Sequence, residues 1–272
     1  MSLAGVGKET VEISERGWYV AGAGVRVSIE DAVARAAGGT LLYRPGDYER
    51  LEPPAAGAGA VVIEVSAETT GAAARRLVER EGVSHVAALN FASAKNPGGG
   101  FLGGAKAQEE DLARCSALYR CQLTQPAYYQ ANRATSSMLY TDHLIYSPEV
   151  PFFRDERLEL LPAPFTVAII TSPAPNAGEA RQRGEGPRVR ETLERRAEHL
   201  LRVAAHHRHR TLVLGAWGCG VFKNDPREVA DVFMRLLAAA PFERAFARVV
   251  FAIYDRSQSR ETFRAFDERC RG

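Results

Sequence analysis

Nothing in the 272 residues approaches the roughly eighteen consecutive apolar residues from which a membrane-spanning helix is read, and Met1 to Thr10 lacks the basic start and apolar run of a secretory signal. Neither a spanning nor an exported chain is expected. Cysteine is scarce. Cys115, Cys121, Cys219 and Cys270 make no CxxC pair and no His/Cys spacing suited to a metal, and they are too few for a disulfide framework. A cytoplasmic protein without a metal is the expectation. An excess of one charge is also missing. Thirty-five Lys and Arg against thirty-three Asp and Glu leave +2, so no global field gathers nucleic acid and any anion must be bound locally. With no internal repeat and no heptad pattern, a monomer is the default.

What is present is the balance of an ordinary folded protein, 46% hydrophobic and 25% charged, at a length that allows one large or two small domains. The Pro/Ala/Gly stretch Glu52 to Gly59, after a Gly46-Asp47 turn, divides an N-terminal accessory or cap segment, 1–59, from a main domain, 60–272. In the first segment Trp18 to Val20 and Val25 to Val27 read as short strands. A helix capped by Ser28, with Asp31 three places on, follows them.

From Ala60 apolar runs and helical stretches alternate. Val61 to Val65, Val83 to Phe91, Phe165 to Thr171, Leu212 to Leu214 and Arg248 to Tyr254 read as strands buried on both faces. Helices are expected over Ala72 to Arg80, Ala107 to Cys121, Leu193 to His206, Val229 to Ala240 and Glu261 to Cys270. The pattern predicts a three-layer α/β/α fold with a mixed sheet.

Two glycine-rich loops follow strands. Asn96-Pro97-Gly98-Gly99-Gly100-Phe101-Leu102-Gly103-Gly104 leads into a helix, and Gly215-Ala216-Trp217-Gly218-Cys219-Gly220-Val221-Phe222 succeeds an apolar run. Such loops let backbone amides approach a phosphate or sugar, although glycines at strand ends also serve as plain turns. Two at the C-terminal ends of strands imply one crevice. Gly98, Gly100 and Gly103 match G-x-G-x-x-G literally, but Pro97 and Gly104 delay the helix that a dinucleotide fold starts among its glycines; a Walker loop fails because Ala105 precedes Lys106.

Gln108-Glu109-Glu110 opens the next helix, where acidic side chains are favoured by the helix dipole whether or not they are catalytic. Successive helical residues diverge by about 100°, so the two glutamates are not expected to face one atom as a glycosidase pair does.

The run Asn90-Phe91-Ala92-Ser93-Ala94-Lys95-Asn96-Pro97-Gly98-Gly99-Gly100, seven residues, then Gln108-Glu109-Glu110, resembles the signature of poly(ADP-ribose) glycohydrolases of the bacterial type. The second loop, through Phe222, Asn224 and Asp225, resembles that family's diphosphate loop. The resemblance implies a macrodomain fold and hydrolysis of ribose–ribose bonds, with Glu110 as the catalytic acid and Glu109 holding ribose hydroxyls. It places Asn96 or Ser93 on the ribose, and Gly98, Gly99, Gly100 and Gln108 around the sugar. Gly215, Gly218, Cys219, Gly220 and Val221 would cradle the diphosphate, with Phe222 packing against ribose or diphosphate. Poly(ADP-ribose), ADP-ribose and poly(ADP-ribosyl)ated proteins are the implied partners, chain ends the implied cleavage point, and no cofactor is called for. A macrodomain that only binds ADP-ribose is the alternative.

Other features are read as structural. His206, His207 and His209 are expected as solvated cations at a helix end. Arg181 to Arg210, interleaved with Glu185, Glu191, Glu194 and Glu198, is expected as a solvated face. Thr171 to Asn176 either lines the pocket or is a stiff loop. Tyr128 and Tyr129 are expected to be buried for their rings.

Overall fold

The computed structural model describes residues 1–52, 57 and 59–271, and at Ala23 the backbone alone. Of the expected Glu52–Gly59 linker, residues 53–56 and 58 lie outside them. The strands are β1 (Trp18–Val20), β2 (Arg26–Ser28), β3 (Leu41–Tyr43), β4 (Val62–Ser66), β5 (Val86–Phe91), β6 (Leu144–Arg154), β7 (Leu160–Ser172), β8 (Thr211–Leu214) and β9 (Arg248–Ala252). The helices are α1 (Leu3–Arg16), α2 (Glu30–Gly38), α3 (Thr70–Arg75), α4 (Gln108–Cys115), α5 (Leu118–Gln122), α6 (Pro126–Ala134), α7 (Ala177–Gln182), α8 (Val189–His206), α9 (Pro226–Ala238) and α10 (Glu261–Arg271).

Seven strands form one mixed sheet in the order β3-β6-β7-β5-β8-β9-β4, with β7, β5, β8, β9 and β4 parallel and β6 antiparallel to both neighbours. The apolar runs split by alternate residues between two cores, as a strand with both faces covered requires. Ala87, Leu89, Leu212, Leu214, Val249 and Phe251 face the α8/α9 side, and Val86, Ala88, Val213 and Val250 face the α3/α4 side. The three-layer expectation is met. β6 escaped the sequence reading because Pro148 and Pro151 interrupt it. Both lie beyond Leu144 to Tyr146, the part that pairs with β3, so neither removes a bond from that ladder.

The N-terminal segment joins the main sheet and packs on its helices. β3 is an edge strand of the main sheet, and Gly7 of α1 packs so closely that a Cβ there would stand 2.9 Å from the Phe101 carbonyl. Thr10 Oγ1 donates to the Arg114 carbonyl at 2.7 Å, so α1 braces α4 directly. The β1–β2 hairpin packs at the start of β7. The Tyr19 hydroxyl donates to Leu161 at the start of β7, whose other end, eleven residues on and about 35 Å away along an extended strand, carries the loop after Ser172. Ser28 does not cap α2, since Ile29 takes the cap position without a side-chain bond.

The histidines at the end of α8 are not all solvated cations. His207 stacks on Tyr146 with centroids 3.6 Å apart and shares a 2.8 Å hydrogen bond with the Tyr43 hydroxyl, and buried His209 is bonded to Tyr146 and the His85 carbonyl. Burial first, then the neighbouring His206 and His209, holds the His207 imidazole down to about 4. Its folded value lies below the ordinary 6.5, so the unfolded chain binds more protons between those values and stability from this group is lost as pH falls through that window. Relative to a His207→Phe variant, the unmodified protein should therefore lose melting temperature between pH 7 and pH 5; equal losses by thermal denaturation would show that His207 does not titrate on unfolding.

Candidate active site

β5 ends at Phe91 and delivers the first glycine loop, which turns because Gly98 (φ 64°) and Gly99 (φ 58°) adopt the left-handed conformation. That conformation costs other residues about 1–2 kcal/mol. Contact demands glycine as well. A Cβ on Gly98 would stand 2.7 Å from the Phe101 ring, and one on Gly99 3.0 Å from the Glu110 carboxyl carbon and 3.2 Å from Glu109 Oε2. Both carboxylates thus converge over Gly99, against the expectation that they diverge. They occupy the second and third positions of α4, where the side chains fold back over the helix start.

Glu110 closes that start. Its Oε2 accepts from the Ala107 amide at 3.0 Å and its Oε1 from the Gly100 amide at 2.9 Å, joining helix and loop. Ala107 has no side-chain acceptor to complete a reciprocal cap, so Glu110 alone serves that end. It is 9% exposed, whereas Glu109 is 3% exposed. Glu109 Oε1 accepts from Asn90 Nδ2 at 3.1 Å and Gln122 Nε2 at 2.8 Å, and Oε2 accepts from the Ser93 amide at 2.6 Å. An ionised carboxylate offers about four acceptor positions, so one remains, on Oε2, the oxygen that faces Gly99. Burial pushes the Glu109 carboxyl up to about 7 against these three donors, which favour its charged form.

Gln108, expected on the sugar, is turned into the protein. Its Oε1 accepts from the Phe91 amide at 2.8 Å, and its Nε2 donates to Thr70 Oγ1 and the Leu89 carbonyl. It staples α4 to the end of β5.

The residue that sequence reasoning missed is Gln122. Fully buried, it accepts from the Gly98 amide at 2.8 Å while donating to Glu109, so one amide group fixes loop and carboxylate together. An unbroken Ala107–Cys121 helix could not do this, because thirteen residues span about 20 Å of helix. The chain breaks at Ser116, which is extended (φ −144°, ψ 176°) and bridges to Phe152, and α5 turns back toward the loop. No local pattern marks such a reversal.

The second loop leaves β8 beside β5. A Cβ on Gly215 would meet the Ala252 carbonyl at 2.8 Å and the Phe91 ring at 2.9 Å, so this glycine lets the two strand ends pack together. Gly218 is left-handed (φ 72°). The Cys219 amide donates to the Ala216 carbonyl at 3.1 Å and does not point outward as expected. Among the described residues the amides of Gly218, Gly220 and Val221 meet no protein acceptor, and Val221, 84% exposed, forms the tip. Phe222 is half-buried with its ring 5.9 Å from Tyr140.

Asn96 is exposed, and its amide donates to Ser93 Oγ at 3.1 Å, so the two candidates for the ribose are neighbours. Thr171 to Pro175 is buried and pinned: the Ser172 carbonyl accepts from Trp217, Pro173 from Arg196 and Pro175 from Asn224. Tyr128 and Tyr129 are buried, with hydroxyls that meet no partner among the described residues. No group of three or more His, Cys, Asp or Glu among those residues is placed to hold a metal ion.

Two glycine loops at the C-terminal edge of a mixed sheet, free amides on one and a converging carboxylate pair on the other, give an α/β protein whose backbone donors and acidic side chains gather where such sheets bind ligands. Residues 7–155 match the family model described as microbial-type PARG, catalytic domain. The chain is 48% identical to the poly(ADP-ribose) glycohydrolase (PARG) from Thermomonospora curvata, with 98% of each chain covered and a TM-score of 0.93, and the structure of that protein bound to the inhibitor ADP-HPD superposes with 0.92. The Deinococcus radiodurans PARG in complex with ADP-ribose is 50% identical, covering 89% of this chain and 98% of that one, with a TM-score of 0.82. A search of curated proteins finds no match. The chain belongs to the microbial-type poly(ADP-ribose) glycohydrolase family.

Gly99→Ala should lower the melting temperature by roughly 2–8 °C from backbone strain alone, and more as the Glu110 carboxylate is displaced; an unchanged value in a thermal scan would refute the convergence over this residue. Gln122→Glu sets a second carboxyl against Glu109. Both carboxyls are then most stable with a proton between them, so the variant's stability deficit should grow as pH rises from 5.5 to 8, and a deficit independent of pH would contradict the contact.

Proposed function

We propose that this chain hydrolyses the ribose–ribose O-glycosidic bonds of poly(ADP-ribose), releasing ADP-ribose from chain ends, and that its three-layer core is a macrodomain. The observation that carries the reading is the Glu110 carboxylate seated on the Gly100 amide at the mouth of the triple-glycine loop, in a chain of this family.

The diphosphate of the terminal unit rests on the outward amides of Gly218, Gly220 and Val221, where backbone donors neutralise it without a cation. Phe222 packs beside it. Asn96 and the remaining lone pair of Glu109 hold the ribose hydroxyls over Gly99. Glu110 donates a proton to the leaving ribose oxygen as positive charge develops at the anomeric carbon. The resulting carboxylate then takes a proton from the water that attacks that carbon, so one group acts first as acid and then as base. The Gly100 and Ala107 amides fix the position of the acid. Four unpaired thiols support a cytoplasmic setting.

The alternative, a reader that binds ADP-ribose without cleavage, draws on one observation: both Glu110 oxygens are held by backbone amides, as a helix cap alone would require. Incubation with poly(ADP-ribose), followed by chromatography of free ADP-ribose, separates the two. The unmodified protein should release ADP-ribose, and Glu110→Gln should reduce the rate roughly 10²–10⁴-fold. ADP-ribose bound tightly but released by neither protein would make this a reader.

A further inference from the structure

Of the thirty-five basic residues only Lys8, Lys95, Lys106 and Lys223 are lysines; the rest are arginines. Three of the four lie in or next to the two glycine loops. Lys95 precedes Asn96 in the first glycine loop, Lys106 lies between that loop and α4, and Lys223 follows Phe222. The two loops leave adjacent parallel strands and touch where Gly215 meets Phe91, so these lysines share one edge of the sheet.

All three are exposed. The ion pairs found among the described residues are all formed by arginine, and none involves these lysines. Of the carboxylates close to them in the chain, Glu109 and Glu110 are occupied by the donors described above, and Asp225 by the start of α9, where it accepts from the Arg227 amide at 2.8 Å. Arginines reinforce the backbone at two of the three positions. Arg133 donates to the Lys95 carbonyl, and Arg181 to the Lys223 carbonyl at 3.2 Å.

The choice of lysine has a physical consequence. A guanidinium grips phosphate through two fixed bonds, whereas an ammonium on a flexible stem acts as a mobile point charge. Resting on the reading above, in which the crevice takes the terminal ADP-ribose, we infer that Lys95, Lys106 and Lys223 form a rim that binds the diphosphate of the adjoining unit of the polymer. Point charges hold that diphosphate while the bond beside it is cut and release it as the chain advances. The rim is a feature of polymer recognition, separate from the amides that bind the terminal diphosphate.

The test compares the protein with a triple variant, Lys95→Gln, Lys106→Gln and Lys223→Gln. Affinity for ADP-ribose and for an oligomer of ADP-ribose is measured by calorimetry over a range of NaCl, alongside polymer hydrolysis. The unmodified protein should bind the oligomer more tightly than ADP-ribose. The variant should lose roughly tenfold in oligomer affinity at low salt, with a log–log salt slope shallower by about one to two, while ADP-ribose affinity stays within about twofold. Lysine-to-arginine replacement at the same positions should restore the affinity. A variant that keeps the oligomer's advantage and its salt slope, in a protein that does hydrolyse the polymer, overturns the rim alone. A parallel fall in ADP-ribose affinity also overturns it, by placing the lysines in the terminal unit's own pocket. Release of no ADP-ribose by the unmodified protein overturns the hydrolase reading, and the rim with it.

Discussion

A carboxylate in the protein interior is costly unless donors replace the water it has lost, and Glu109 is held by three that come from three parts of the chain. Asn90 arrives on β5, the Ser93 amide on the first loop and Gln122 at the end of α5. Hydrogen bonds to a charged group are worth about 1.5–3 kcal/mol each, so removing any one segment leaves the others facing an under-satisfied carboxylate. The loop, the helix start and the reversed α5 are therefore ordered together. Gln122 extends the same network to Gly98 and Glu110 joins it to Gly100, which leaves the triple-glycine turn little freedom.

Around this centre the remaining elements divide into those that brace and those that stay open. α1 lies against the turn at Phe101 and bonds to α4, and Arg154 of β6 donates to Glu9 and Thr10 of α1. On the other side, buried Arg196 pairs with Asp142 at 3.0 Å and donates to the Pro173 and Leu139 carbonyls, which fixes the strand end next to the second loop. In that loop the amides of Gly218, Gly220 and Val221 stay unengaged among the described residues. A rigid frame with a few unsatisfied donors at its edge is the arrangement that favours anion binding, because the donors need not be reorganised when the ligand arrives.

The two glycine loops, the acidic triplet and the buried strands could be read directly, because each rests on local chemistry: left-handed turns need glycine, and strands covered on both faces need unbroken apolar runs. The roles of particular side chains were harder. Gln108 belongs to the motif, yet its amide group is used to staple α4 to β5. Cys219 sits among diphosphate-loop residues, yet its amide bonds to Ala216. β3 was invisible as part of the sheet because three residues carry too little periodicity, and β6 because its prolines argue against a strand until it is known that both lie beyond the ladder with β3.

By itself the sequence determined the layer architecture, the two glycine loops at strand ends and the pair of glutamates at the next helix start, since composition, period and glycine spacing act over a few residues. Tertiary structure alone decided that Glu109 and Glu110 converge on Gly99, that Gln122 joins them and that the N-terminal helix is part of the frame. Those facts depend on the chain reversal at Ser116 and on contacts between residues more than a hundred positions apart, such as Thr10 and Arg114, whose stability comes from packing and from satisfying buried polar groups that no local pattern records.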